Sequence, residues 1–465
     1  MALAIALILL VAGSVLFHFL SPWWFTPIAS NWETMDQTVN LTFWVTGTVF
    51  VLVNLFMAYA IIRYRHRAGQ QAHYEPENKR LEWVLTIVTA VGVVAMLAPG
   101  LFVWAKFIDV PPDAAVVEVV AQQWHWSFRL PGADNVLGAT DARLMNDANP
   151  FGMNPDDPNG QDDVLVSDPE LHLPLNRPVK LLLRSKDVLH DFAVAQFRVK
   201  MDMVPGMITY MWLTPTKTGE YEILCEELCG IAHFAMRGRV VVEDEDGFKT
   251  WLAANPTFAA ISAVSAADPA AGAALYAACA ACHGASGEGN PALNAPKLAG
   301  QGGWYLQRQL KNFRQGVRGA QPNDTYGQQM VPFAGMLSDA TTVRNLVAYI
   351  ETLPEQRPPA TVLGDAGRGA VLYQTCAACH GESGRGIEAM DAPRLSHMSD
   401  WYLARQLHNF KDGIRGSHHQ DYYGKQMVLI TGAVADARAI DDLVAHINTL
   451  QPADPQIAMT DTGGP

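Results

Sequence analysis

Cys279-Ala280-Ala281-Cys282-His283 and Cys376-Ala377-Ala378-Cys379-His380 are one pentapeptide written twice in the same chain. Two thiols at this spacing can each form a thioether to a haem, and the imidazole directly after them can ligate its iron. A lone Cys-x-x-Cys could equally be a redox dithiol or half of a zinc site. Two copies in repeated surroundings remove that reading, so Cys279, Cys282 and His283 are assigned to one covalently bound haem c, and Cys376, Cys379 and His380 to a second.

The surroundings repeat independently of the pentapeptide. A shift of 97 residues carries Cys279 onto Cys376, and the same shift carries Trp304, Tyr305, Gln309, Phe313, Arg318 and Tyr326 onto Trp401, Tyr402, Gln406, Phe410, Arg415 and Tyr423 without a gap. One module is therefore duplicated in tandem. Met330 shifts onto Met427. A His-ligated haem in an electron carrier commonly takes a thioether on its other face, which makes these two methionines the axial-ligand candidates. Met336, whose counterpart is Ala433, is assigned to core packing. Each module is expected to be all-helical, with a helix before the pentapeptide, an amphipathic one through Trp304–Phe313 and a last one near Val343–Leu353. The modules, at 266–355 and 364–453, resemble class I cytochrome c domains, paired as in di-haem cytochromes of the c4 type.

Of the six cysteines, Cys225 and Cys229 remain, in Cys225-Glu226-Glu227-Leu228-Cys229-Gly230, followed by His233 and Met236. A disulfide and a zinc site are alternatives. Two thiolates, an imidazole and a thioether within twelve residues, however, form a soft donor set that suits copper. A further imidazole is expected from elsewhere, and His190 follows a strand-like run at Val179–Leu183. This pattern resembles the dinuclear copper A site of cytochrome c oxidase subunit II. The resemblance implies two coppers bridged by Cys225 and Cys229, with His190 and His233 capping one each and Met236 as a weak ligand. It further implies that Glu227 lends its backbone carbonyl and offers a magnesium site at the interface with subunit I. That family usually has Ser where this chain has Glu226, a position that is not a ligand.

Residues 111–250 alternate apolar and polar positions between turn residues, as in Val116-Val117-Glu118-Val119-Val120, which predicts a β-sandwich. It resembles the cupredoxin domain of the same family. The segment Gln123-Trp124-His125-Trp126-Ser127-Phe128 matches the family's aromatic stretch, and the resemblance gives Trp124 the place where electrons reach the copper site. Trp126 and Phe128 are expected in the core.

Residues 1–110 form an expected anchor, with apolar stretches at about 1–20, 41–62 and 83–104, each long enough to cross a bilayer. The loop between the last two carries Arg63, Arg65, Arg67, Lys79 and Arg80, which favours the cytoplasmic side for that loop and the opposite side for everything after Lys106. The first stretch has no basic start, its first charged residue being Glu33, so a retained helix is expected rather than a cleaved signal. Glu82 opens the third stretch. A carboxylate there favours the helix dipole; by the family resemblance it lies at the entrance of a proton path.

The fold class is thus a multidomain membrane protein: N-terminal transmembrane helices, an all-β cupredoxin-like sandwich and two all-α cytochrome c domains. Linkers are expected at Ala253–Ala271 and Pro354–Gly367, which are rich in Ala, Pro and Gly. A net charge of −13 excludes nucleic acid as a partner and suits a basic one. The resemblance implies subunit II of a caa3-type terminal oxidase in a bacterial cytoplasmic membrane, with its copper and haem domains on the periplasmic side. Its partners would be subunit I, holding haem a and copper B, subunit III, and a donor such as a soluble or membrane cytochrome c or a bc1-type complex. Electrons would pass from the haems c through copper A to subunit I, where oxygen is reduced to water and protons are pumped. The oxygen site itself is not expected here, because His18 is the only intramembrane imidazole. The alternatives are the copper A/cytochrome c subunit of a nitric oxide reductase and a stand-alone membrane-anchored electron carrier.

Overall fold

The computed structural model describes residues 1–21, 26–71, 76–145, 149–263 and 266–451. Three helices, α1 (Ala2–Leu20), α2 (Glu33–Arg63) and α3 (Lys79–Ile108), are long and apolar enough to cross a bilayer. Side chains such as Leu52, Phe56, Val88 and Val94 stand exposed along them, as a surface meant for lipid or a partner helix would. Both α2 and α3 overrun the expected stretches, because their ends are bonded to protein rather than bounded by hydrocarbon. Just before α2, the Trp32 indole is buried and donates to the Trp212 carbonyl (2.9 Å), and inside it Asp36 pairs with Arg198 (2.6 Å). At the end of α3, the carbonyls of Lys106 and Ile108 accept from the Trp212 indole and the Tyr210 hydroxyl, each at 3.2 Å.

Among the described residues ten strands follow: β1 (Ala115–Gln122), β2 (His125–Leu130), β3 (Val164–Val166), β4 (Glu170–Pro174), β5 (Val179–Ser185), β6 (His190–Val194), β7 (Val199–Met203), β8 (Thr209–Leu213), β9 (Gly219–Leu224) and β10 (Arg237–Glu243). They make two five-stranded sheets, β3-β2-β1-β5-β8 and β4-β10-β9-β6-β7. Trp126, Phe128, Leu171 and Phe192 lie fully buried within the core of the sandwich. Burying one such side chain is worth roughly 1.5–3 kcal/mol.

The alternation expected of β1 does not survive folding. Val117 through Ala121 are all buried, Glu118 included. The carboxylate of Glu118 is held in ion pairs with Arg129 and Arg184, each at 2.5 Å. The other side of this sheet is covered by a second apolar cluster of Val120, Phe151, Met153, Leu165 and Phe258. Phe258 belongs to α5 (Phe258–Ser262), inside the stretch expected to be a free linker. The amide of Phe258 donates to Asp163 O (2.9 Å) and that of Leu165 to Pro256 O (3.0 Å), so chain up to α5 belongs to the sandwich. Between β10 and α5, α4 (Glu245–Ala254) also packs back, its Trp251 ring stacked on His172 at 4.4 Å.

Among its described residues the tail holds eight α-helices in two matching sets: α6 (Pro269–His283), α7 (Gly303–Arg314), α8 (Thr325–Gly335) and α9 (Ala340–Glu351), then α10 (Ala366–His380), α11 (Asp400–Lys411), α12 (Tyr422–Gly432) and α13 (Ala437–Ile447). In each set the first and last helices cross backbone to backbone, and a Cβ on Gly272 would lie 2.0 Å from Asn345 O, one on Gly369 1.9 Å from Asp442 O. Only glycine permits that approach. Met336 departs from its expected place: it caps the end of α8 and is 68% exposed, so it packs in no core. The stretch between the modules is irregular but tied down, with the amides of Thr361 and Val362 donating to the Asp400 carboxylate (2.5 and 2.8 Å).

The two modules face each other through residues that the duplication repeats. Arg318 donates to the Tyr402 hydroxyl (2.6 Å) and Gln406 Oε1 (3.2 Å); reciprocally, Arg415 donates to the Tyr305 hydroxyl (2.9 Å) and Gln309 Oε1 (3.0 Å). Such i-to-j and j-to-i pairing is the signature of a two-fold contact, here within one chain.

Candidate metal and haem centres

The copper-ligand candidates come from three places in the second sheet. His190 opens β6, Cys225 follows β9 directly, and the loop from Cys229 to Met236 leads into β10. Their donor atoms converge. Cys225 Sγ lies 3.7 Å from Cys229 Sγ and 3.9 Å from His190 Nδ1, while Cys229 Sγ lies 3.5 Å from His233 Nδ1 and 3.8 Å from Met236 Sδ. The Glu227 carbonyl stands 3.2 Å from Cys225 Sγ. Both thiols are free, their sulfurs well beyond the roughly 2.05 Å of a disulfide. An imidazole thus flanks each sulfur of a close pair, with a thioether and a carbonyl beside them. This soft donor set fits copper.

The neighbours of this cluster orient it. Asp187 accepts from His190 Nε2 (2.8 Å), which leaves Nδ1 facing the sulfur. Burial works against the charged ring, but the Asp187 carboxylate and the Cys225 sulfur outweigh it and raise the His190 pKa. Two adjacent thiols cannot both ionise cheaply. The hydrogen bond between the two sulfurs holds Cys225 well below the usual thiol range, and the resulting thiolate, with burial, pushes Cys229 far up.

Trp124 is buried against the same loop. Its indole donates to Cys229 O (3.2 Å), and the neighbouring Gln123 side chain donates to that same oxygen (2.7 Å). Gly230 makes this approach possible: its φ is +120°, and a Cβ there would lie 2.8 Å from Gln123 Nε2 and 2.9 Å from Trp124 Cζ2. Gly230→Ala is expected to cost about 1–3 kcal/mol through backbone strain and overpacking, and to push the indole off the Cys229 carbonyl. Thermal unfolding checks this; an unchanged melting temperature would mean that the loop has room to spare.

In the first cytochrome module, Cys279, Cys282, His283 and Met330 line one cavity; in the second, Cys376, Cys379, His380 and Met427 line another. His283 and His380 are buried, and burial lowers both pKa values. Each ring lies with Nδ1 2.7 Å from a proline carbonyl, Pro296 O or Pro393 O. A neutral ring donating from Nδ1 leaves Nε2 as its free electron pair, the state that ligates iron. An apolar cavity with paired thiols, such an imidazole and a thioether fits a haem. Glu82 stands apart from all these groups, exposed in the first turn of α3.

What the sequence did not single out as site residues are Tyr422, Tyr423, Gln426 and Met390, which join the second module to the sandwich. The Gln426 side chain donates to Trp124 O (2.9 Å), and Tyr423 stacks on His125 with ring centroids 5.5 Å apart. Tyr423 is one of the residues repeated between modules, and its twin Tyr326 keeps the repeated part of the contact, Arg405 lying over the Tyr326 ring (4.3 Å) as Arg308 lies over that of Tyr423 (4.2 Å); the stacking on His125 is what Tyr423 adds. The repeat carries the contact between the modules, not the one with the sandwich.

Comparison with known proteins agrees with these features. The family described as cytochrome c oxidase subunit II, periplasmic domain, matches residues 115–244, and the cytochrome c family matches 269–354 and 366–451. The chain is 58% identical over 262 residues to the alternative cytochrome c oxidase subunit 2 of Bradyrhizobium diazoefficiens, covering 56% of this chain and 95% of that one. It is 26% identical over 257 residues to a probable cytochrome c oxidase subunit 2 of Rickettsia felis, covering 55% of this chain and 79% of that one. Among solved structures, reduced cytochrome c4 from Pseudomonas stutzeri aligns with a TM-score of 0.33 at 28% identity, over 40% of this chain and 100% of that one. The periplasmic domain of cytochrome oxidase subunit II of Bradyrhizobium japonicum aligns with a TM-score of 0.23 at 26% identity, over 31% and 96%. The chain belongs to the cytochrome c oxidase subunit II family, as a membrane-anchored subunit of a haem-copper oxidoreductase whose sandwich is continued by two cytochrome c domains.

Proposed function

We propose that this chain takes electrons in at two haems c and passes them through a dinuclear copper A centre to subunit I, which reduces oxygen to water and pumps protons. The observation that carries the reading is the convergence of His190 Nδ1 and His233 Nδ1 on opposite members of a sulfur pair 3.7 Å apart. When bound, two coppers sharing the Cys225 and Cys229 sulfurs would supply a one-electron centre, and each haem another. The residues of the chain hold these groups still: Asp187 fixes the His190 ring, and the carbonyls of Pro296 and Pro393 fix those of His283 and His380. A rigid site suits a carrier that must change charge without moving its ligands.

In this reading α1, α2 and α3 all span the membrane, and the domains at 111–250, 266–355 and 364–453 lie on the periplasmic side. The basic loop after α2 supports that orientation. Trp124, in contact with Cys229, is where electrons reach copper. Glu227 adds a magnesium ligand against subunit I, and Glu82 stands at the mouth of a proton path. Subunit III and a bc1-type donor complete the assembly. The test is metal and haem analysis of the purified chain. Two haems resistant to acid-acetone extraction, two coppers and the near-infrared band of a shared unpaired electron are expected. One stoichiometric zinc with no copper would overturn the copper assignment, and one haem per chain would overturn the duplicated-module assignment.

A further inference from the structure

We propose that the second cytochrome module is the immediate donor to the copper loop and covers the Trp124 face, so that an outside donor delivers its electron to the first module. The inference rests on the copper and haem reading above and adds an order to it.

Among the described residues, hydrogen bonds and core contacts from the second module join the tail to the sandwich. Gln426 reaches Trp124 O, and the Tyr423 hydroxyl lies 3.3 Å from His125 Nδ1. The Tyr422 hydroxyl donates to Glu170 Oε2 (2.6 Å) and accepts from Arg239 (3.2 Å), and Gln122 donates to Ala389 O. Ala378, Cys379 and Met390 pack against the apolar core that contains Trp124, Cys225 and Cys229. Ala232 and Ala235 of the copper loop help to line the second haem cavity. Ala232 is bonded to His233 and Ala235 to Met236, so two copper-ligand candidates stand one residue from the wall of that cavity. The first cavity is lined, among the described residues, by the two cytochrome modules alone. The first module reaches this junction only at second hand: its Arg308 pairs with Asp391 (2.7 Å) and lies over the Tyr423 ring, 4.2 Å from the centroid.

This packing leaves the Trp124 face covered, with Trp124 only 6% exposed beneath Gln426. A soluble donor therefore cannot sit on it while the second module is docked. One electron leaves the iron of the second module, which goes from ferrous to ferric, and reduces the copper pair. The iron of the first module restores it by the same one-electron exchange and is itself reduced by an outside one-electron carrier. No bond is made or broken and no proton moves.

The test uses the full chain in its assembled oxidase and follows haem c and copper absorbance separately after a reducing pulse. In Tyr422→Phe/Gln426→Glu, the two docking hydrogen bonds of the Tyr422 hydroxyl are lost and a donor facing the Trp124 carbonyl becomes an anionic acceptor. Transfer from haem to copper is expected to slow by at least about tenfold, with both haems still reduced at the normal rate. Hydroxyl-radical footprinting of the same proteins gives a second measure that needs no electron transfer: the peptide holding Trp124 and His125 is expected to be protected in the unaltered chain and reactive in the variant. Removing only the first haem, by Cys279→Ala/Cys282→Ala, is expected to spare exchange between the remaining haem and copper; removing only the second, by Cys376→Ala/Cys379→Ala, is expected to abolish it. Unchanged transfer in the docking variant, a Trp124 peptide already reactive in the unaltered chain, or copper reduced from the first haem without the second would overturn the order. Absence of copper or of one haem from the unaltered chain is a separate result, which defeats the underlying reading and the order with it.

Discussion

Cys225→Ser is expected to leave the chain folded, with both haems in place and no copper pair. The Cys225 sulfur lies within 3.9 Å of the Cys229 sulfur and of His190 Nδ1, and the Glu227 carbonyl is closer still at 3.2 Å. A hydroxyl at that point is a hard, protonated donor where the site needs a soft anionic one. Its burial costs about 1–3 kcal/mol, too little to unfold a sandwich of this size. The near-infrared absorption should vanish and the copper content fall from two per chain to one or none. Met236→Leu is the contrast: a thioether 3.8 Å from Cys229 tunes the site rather than building it, so copper should stay and its potential shift. A Cys225→Ser chain that still binds two coppers would remove the thiolate bridge from the assignment.

Ending the chain after Ala263 is expected to keep the copper spectrum and to slow electron delivery from the native donor by roughly 10²–10³-fold. A tethered module is present at an effective concentration in the millimolar range, whereas a free donor must meet the copper domain by diffusion. The cut belongs after α5, not at the end of β10, because Trp251 stacks on His172 and Phe258 closes an apolar cluster on the first sheet. A small artificial reductant should reduce copper at an undiminished rate, because the cut also uncovers Trp124. Equal rates with every donor before and after the cut would take the haem modules off the main path.

Much of this was readable from residues alone, and the reason is chemical. Thioether attachment requires two thiols and a histidine in one short run, so Cys279–His283 and Cys376–His380 declare themselves whatever the fold. Bilayer thickness imposes length and apolarity on any spanning helix, so α1, α2 and α3 stand out before any contact is known. Four of the copper candidates, Cys225, Cys229, His233 and Met236, share one loop and are legible as a spacing. His190 is not part of that spacing: it was picked out after a strand-like run and given its role by a resemblance, and in space it is brought in by β6 lying beside β9 in the second sheet.

What escaped the sequence shares a different physical character. The full burial of β1 depends on Phe151, Met153 and Phe258, which come from a long loop and from beyond β10, and no local periodicity can anticipate a cover from so far along the chain. Met336 carries the apolar character of a core residue yet lies at a helix end turned to solvent, because composition gives no direction. Tyr326 and Tyr423 are equivalent residues of the two modules, each under the other module's arginine, Arg405 or Arg308, and Tyr423 stacks on His125 as well. The covalent chemistry of each centre was thus determined by residue identity over a few positions. Which centre lies beside which was decided only by tertiary structure, because docking between domains sums many weak contacts between residues hundreds of positions apart, and no single residue announces it.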